Sequence, residues 1–198
     1  MPKEPVTSFE VHPLTPERWS DLRALFGERG ACAGCWCMWW RVPPAVFRAQ
    51  QGSANHQALK GLVDSGVIPG LLGYVDGLPS AWCAVGPREH FPNLERSRTL
   101  KRVDARPVWS IVCFFVSPRH RRRGLTPELL RAAAAFAHSR GARIIEGYPL
   151  WHDPGTPSSR SYMGGLGAFL AAGFVEVAQT SKVRRIVRRY LDSEPGSG

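Results

Sequence analysis

The sequence predicts one α/β (α+β) domain on a mixed sheet, and three observations carry that reading. Strand-like and helix-like stretches alternate on both sides of a tight hairpin signal at Asp76-Gly77. The run VWSIVCFFV is apolar throughout and of strand length, as a strand covered on both faces would be. At 198 residues with 43% hydrophobic content, the chain is long enough to bury one sizeable core.

The elements follow in order. SFEVHPL reads as a strand and TPERWSDLRALFG as a helix, with Thr15 as N-cap, Pro16 in the first turn and Gly27 beyond the end. PPAVFRAQQ and NHQALKGLVDSG read as one broken helix or two short ones. GLLGYVDGLPSAWCAV is the hairpin, and REHFPNLERSRTLKRVDARP is a polar, proline-containing excursion. After the apolar strand come a basic loop and a helix from Pro127 to Arg140, closed by Gly141. ARIIEGYPL is the next strand, WHDPGTPSSRS a loop, YMGGLGAFLAAG a glycine-weakened helix, and FVEVAQT with VRRIVRRYL a closing strand pair. The domain is expected over 1–191, with 192–198 a polar disordered tail.

The formal net charge of +10 favours anionic partners, either polyanions or anionic small molecules. The opening residues contain no apolar h-region, so no signal peptide is expected. No apolar run approaches the ~20 residues of a membrane span, so no membrane association is expected. Five cysteines without a secretory signal argue for a reducing, cytoplasmic setting.

RHRRRGLTPELL, residues 119–130, places four arginines at the head of a helix. Thr126, Pro127 and Glu128 form a helix start of N-cap hydroxyl, proline and first-turn acid. Such a start leaves unpaired N–H groups aligned with the helix dipole, which is an anion site, and Gly124 lets the backbone curl close to the anion. A buried strand, a glycine turn and a capped helix together place a diphosphate at the strand's carboxyl end. The competing reading of the charge is a nucleic-acid backbone.

The segment FFVSPRHRRRGLTPELLRAAAAFAHSRGA resembles the acyl-CoA-binding core of the GNAT superfamily of N-acyltransferases, whose loop reads Gln/Arg-x-x-Gly-x-Gly/Ala. Arg121, Gly124 and Thr126 fall on its three marked positions, Thr126 standing where glycine or alanine is usual. The opening strand and helices, YVDGLPSAW, ARIIEGYP and FLAAGFVEV occur in the family's order, and CWCMWWR and EGYP resemble stretches of a bacterial subgroup.

The resemblance implies a mostly antiparallel sheet with one splayed parallel strand pair, flanked by about four helices. It also implies an acyl-CoA-dependent N-acyltransferase using acetyl-CoA or another acyl-CoA, with no metal. The amides of Arg121, Arg122, Arg123, Gly124, Leu125 and Thr126 would hold the diphosphate. The backbone of Cys113, Phe114, Phe115 and Val116 would pair with the pantetheine arm, one N–H facing the thioester carbonyl. A primary amine of a small molecule would attack directly in a ternary complex.

Glu146, late in a strand beside the cofactor strand and flanked by apolar residues, is the expected base, its pKa raised by burial. The family's tyrosine position is Phe169, which cannot donate a proton, so the acid is Tyr162, Tyr148 or water.

CAGCWCMWWR offers Cys32, Cys35 and Cys37 as thiolate ligands, but a second cysteine pair for a zinc site is absent. Its tryptophans Trp36, Trp39 and Trp40 are expected over the substrate groove, where GNAT-like proteins form their acceptor side. Two rival readings stand beside the enzyme. One is a tRNA- or nucleic-acid-using protein, drawing on Arg184 and Arg188 or their neighbours on a solvent face of KVRRIVRRYL. The other is a non-catalytic CoA sensor, in keeping with Phe169. The chain is expected to be a monomer or homodimer.

Overall fold

In the computed structural model, residues 6–32, 34–151 and 162–191 are described. The proposed tail at 192–198 and all but the first residue of WHDPGTPSSRS lie outside them. Strand β1 (Phe9–Pro13) passes through a 3-10 turn at Pro16–Arg18 into helix α1 (Trp19–Phe26), which Gly27 ends with φ 67°. Helices α2 (Pro44–Ala49) and α3 (Ser53–Asp64) are separate, because Gly52 between them holds φ 89°, ψ −118°. That backbone region is open to glycine and closed to a helix.

Strands β2 (Gly70–Val75) and β3 (Leu78–Pro87) form the expected hairpin. Asp76 and Gly77 both take positive φ, 50° and 78°, as the tight two-residue turn requires. The polar excursion contains a short helix, α4 (Pro92–Arg96), before strand β4 (Trp109–Val116). Helix α5 (Leu125–Ser139), strand β5 (Ile144–Gly147), helix α6 (Leu166–Ala171) and strands β6 (Val175–Gln179) and β7 (Arg185–Tyr190) complete the chain.

The starts of α5 and α6 differ from expectation. The N-cap of α5 is Gly124, at φ 75°, and Thr126 lies inside the first turn. A left-handed glycine turns the chain sharply enough to begin the helix two residues early. Helix α6 is shorter than YMGGLGAFLAAG, because Gly164 holds φ 79° and Gly165 is extended.

The sheet runs β1-β2-β3-β4-β5-β7-β6, antiparallel everywhere except between β4 and β5. Residues of β4 and β5 reach both faces. Val112 and Tyr148 pack with Trp19, Leu22, Phe26 and Trp82 on the α1 side, while Ile111 and Ile145 pack with Leu129, Leu130 and Ala133 of α5. Each fully buried Leu or Ile stabilises the fold by about 1.5–3 kcal/mol. Among the described residues no helix is long and apolar enough to cross a membrane.

The expected solvent face of KVRRIVRRYL is corrected at Arg188, which is 1% exposed. Strand β7 lies between β5 and β6, so the side chain points into a covered face where carboxylates meet it.

Candidate active site

Strands β4 and β5 pair only at Trp109–Ile145, Ser110–Glu146 and Ile111–Gly147, and β5 ends there while β4 continues to Val116. The result is the splayed parallel pair. A bulge sits opposite the split: Ala84 faces Cys113 and Val85 faces Ile111, leaving Val112 as the extra residue. Bulges re-aim side chains where they occur. The chain returns into the opening, where the N–H of Phe114 donates to the Tyr162 carbonyl at 2.6 Å and that of Leu150 to Gly164 at 3.1 Å. Phe114, one of the expected pantetheine partners, thus has its donor engaged within the chain.

At the end of β4, the 3-10 turn Pro118–His120 leads to Arg121 in extended conformation, then to Arg122 at φ 61° and Gly124 at φ 75°. The two left-handed residues bend the chain sharply ahead of the 15-residue α5, whose first N–H groups favour an anion. Arg121 and Arg122 are exposed, Arg123 and Thr126 half-buried, and Leu125 buried. Arg121 also donates from Nε to the Val116 carbonyl at 3.0 Å, tying the loop to the strand end. The loop fits a diphosphate by backbone shape and by charge.

A cavity of about 280 Å³ opens between β4 and the segment after α1. Cys113, Phe114 and Phe115 form one wall; Cys32, Cys35, Cys37, Trp39 and Trp40 form the other, with Tyr162 at the edge. Trp39 and Trp40 both line this cavity. Trp36 lies elsewhere: it is 4% exposed beside Trp19 and Phe26 and lines a separate pocket with Arg23 and His56. The buried Nε1 of Trp40 has no hydrogen-bond partner among the described residues. Burial raises the Tyr162 hydroxyl above its ordinary pKa, so it keeps its proton at neutral pH.

Glu146 and Tyr148 lie elsewhere. Both are 0% exposed, and neither lines the cavity. The expected apolar surroundings of Glu146 are corrected, because two guanidiniums reach it from distant segments. Arg188 Nε donates to Oε2 at 2.7 Å, and Arg88 and the Tyr148 hydroxyl donate to Oε1 at 3.4 and 3.0 Å. Arg88 also donates to the Tyr148 hydroxyl, which exchanges a further hydrogen bond with Ser110, both at 2.7 Å. Arg188 clasps Asp104 through two bonds, and that carboxyl is held well below the usual range by Arg188 first and Arg106 second. Burial, then the neighbouring Glu146 charge, pushes the Tyr148 hydroxyl far above its usual value.

Sequence reading misses Arg88 and Asp104, which sit among ordinary polar residues, and Ser110, which is lost in the apolar run VWSIVCFFV. It also misses that Cys113 joins the three N-terminal cysteines. Thiols 76 or more positions apart carry no spacing signal. Among the described residues no group of His, Cys, Asp and Glu is arranged to hold a metal ion.

Phe169, at the family's tyrosine position, is 0% exposed against Phe114 and Phe174. Its ring fills the space a Cβ on Gly147 would need, 2.1 Å from that position. A close glycine-to-ring approach accounts for EGYP as packing.

Solved structures share this architecture. A GNAT-family acetyltransferase from Streptococcus agalactiae is 13% identical, with 95% of this chain and 98% of that one covered at a TM-score of 0.56. The yncA protein of Salmonella typhimurium, solved with its cofactor acetyl-CoA, is 12% identical, with 96% and 98% covered and a TM-score of 0.55. The PaiA N-acetyltransferase of Thermoplasma acidophilum, in complex with coenzyme A, is 13% identical, with 93% and 99% covered and a TM-score of 0.51. Those identities speak for fold alone. No curated protein matches the chain.

The acetyltransferase (GNAT) family model matches residues 38–148, more than half of the sequence, from the tryptophans of the cavity through the curled loop to the end of β5. The chain therefore belongs to the GNAT family as an acyl-CoA-dependent acetyltransferase with acetyl-CoA as co-substrate.

Proposed function

We propose that the chain moves an acetyl group from acetyl-CoA to the primary amine of a small molecule by direct attack. The observation that carries this reading is the cavity joining the cofactor strand to the tryptophan wall. One wall is backbone suited to the pantetheine arm, the other an apolar, aromatic surface suited to the acceptor.

In this reading the amides of Arg121 to Thr126 hold the diphosphate, and the Tyr162–Gly165 segment yields its place beside Phe114 to the pantetheine arm. The N–H of Phe114, freed from Tyr162, faces the thioester carbonyl and stabilises the oxyanion. Tyr162 returns a proton to the departing thiolate. The indole N–H of Trp40 orients the acceptor. Among the described residues none lining the cavity is a carboxylate. In this reading the amine arrives neutral or loses its proton to solvent, and Glu146 serves to tie β5 to β7 and to Arg88.

The experiment is a CoA-release screen over pools of primary amines, with acetyl-CoA as donor. Turnover on a member of the pool supports the reading. Binding of acetyl-CoA with no turnover on any pool favours the sensor. The nucleic-acid reading loses Arg188, which is withdrawn from solvent. A melting temperature raised by tRNA at physiological salt would revive it.

A further inference from the structure

Direct transfer to an amine makes no use of the thiols that gather at the cavity. Cys32, Cys35, Cys37 and Cys113 all line it, three from the segment after α1 and one from the cofactor strand. Cys37 is 6% exposed and lines the cavity between Cys35 of its own segment and Cys113 of β4. Cys35 is half-buried and reachable from the cavity.

The backbone around it is strained. Trp36 and Cys37 are successive non-glycine residues at φ 34° and 53°. Left-handed conformation is unfavourable for an L-residue, and such strain concentrates at functional sites. Backbone N–H groups of Cys32, Cys35 and Cys37 act on the Cys35 sulfur. A hydrogen bond from the Cys37 thiol and these N–H groups, against the opposing effect of burial, lower the Cys35 thiol to about 6. At neutral pH it is mostly thiolate, the nucleophilic form. Burial moves Cys32 and Cys37 the other way, so they stay protonated.

We propose that Cys35 is an S-acylation site: with no amine bound, its sulfur takes the acyl group from acyl-CoA lying along β4. The inference rests on the proposed placement of the thioester beside Cys113 to Val116. The Cys35 thiolate adds to the thioester carbonyl carbon, and the bond from that carbon to the CoA sulfur breaks. The electron pair leaves with CoA as its thiolate, which takes a proton from water. One thioester and one thiol stand on each side, so no oxidant or reductant enters and free CoA reverses the exchange. The more acidic Cys35 thiol is the better leaving group, which keeps the enzyme thioester reactive.

The test incubates the full chain with acetyl-CoA and no amine, then reads CoA release, intact mass and fragment-ion mapping. One CoA per chain should appear in a burst, with one acetyl group on Cys35 that neutral hydroxylamine or excess free CoA removes. Cys35→Ser should abolish the burst while melting at the wild-type temperature and binding acetyl-CoA. Mapping the unmodified sequence locates the acetyl group even if that variant misfolds. Acetyl-CoA bound by calorimetry with no acetyl group on Cys35 overturns the proposal and leaves the acyltransferase reading standing. Acetylation of Cys32, Cys37 or Cys113 in its place overturns it equally. Failure of acetyl-CoA to bind overturns both.

Discussion

The backbone N–H of Phe114 donates to the carbonyl oxygen of Tyr162 at 2.6 Å, so the chain itself stands in the fork between its cofactor strand and β5. If the pantetheine arm takes that donor, it exchanges one hydrogen bond for another, and the exchange costs little once the segment has moved. Movement must come first. Tryptophan fluorescence after rapid mixing with acetyl-CoA should therefore show a rate that levels off at high ligand concentration. A rate rising linearly throughout would mean that the fork is already open.

Glu146 and Arg188 make the second prediction. Both are about 1% exposed in their side chains, and Arg88, with no exposure, shares the carboxylate. Removing one member of a buried ion pair leaves uncompensated charge, at a cost of about 3–5 kcal/mol. Glu146→Ala should lose stability on that scale in urea denaturation, and Glu146→Gln less, since its amide oxygen still accepts. The Gln variant should keep the shape of the pH–rate profile. Disappearance of its basic limb would restore Glu146 to the role of base.

Tyr162→Phe separates chemistry from binding. If the Tyr162 hydroxyl is the acid, kcat should fall about 10²-fold, with KM for acetyl-CoA nearly unchanged. Steady-state kinetics on any accepted amine would show the split. An unaltered kcat assigns the proton to water.

Gly124→Ala tests the anion seat. A Cβ there would meet nothing within 4 Å, so the substitution acts only through the φ of 75°. The strain of about 1–2 kcal/mol should weaken acetyl-CoA binding roughly tenfold by calorimetry. Equal affinity would show that the arginine charges, and not the backbone shape, hold the cofactor.

The Cys35 thiol supplies a pH dependence. Its pKa is lowered to about 6, so the thiolate fraction, and alkylation by iodoacetamide at this residue, should rise through pH 6 and then level off. Cys32, raised by burial, should react more slowly at neutral pH and still be accelerating at pH 9. Mass-spectrometric quantification at each residue reads both curves.

Much of the fold and part of the site are legible in the amino-acid sequence. The turn at Asp76-Gly77, the doubly covered strand VWSIVCFFV and the glycine turn into α5 are written in adjacent residues, so each can be read alone. The helix start at Thr126 is misplaced by two residues, because Gly124 can adopt a conformation that an N-cap hydroxyl signal does not reveal. Trp36, Trp39 and Trp40 look equivalent in sequence. A turn of positive φ at Trp36 and Cys37 sends the first into the core and leaves the others at the cavity.

Neighbouring residues settle the periodicities, the turns, the basic loop and the order of elements that marks the family. Folding in three dimensions is what makes Arg88 and Arg188 interior, locks Glu146 between them, and brings Cys113 to Cys37. Alternation along a strand says which side chains share a face, not what covers that face. A buried charged guanidinium needs partners to offset its lost hydration, and for Arg188 the carboxylates come from 42 and 84 positions away.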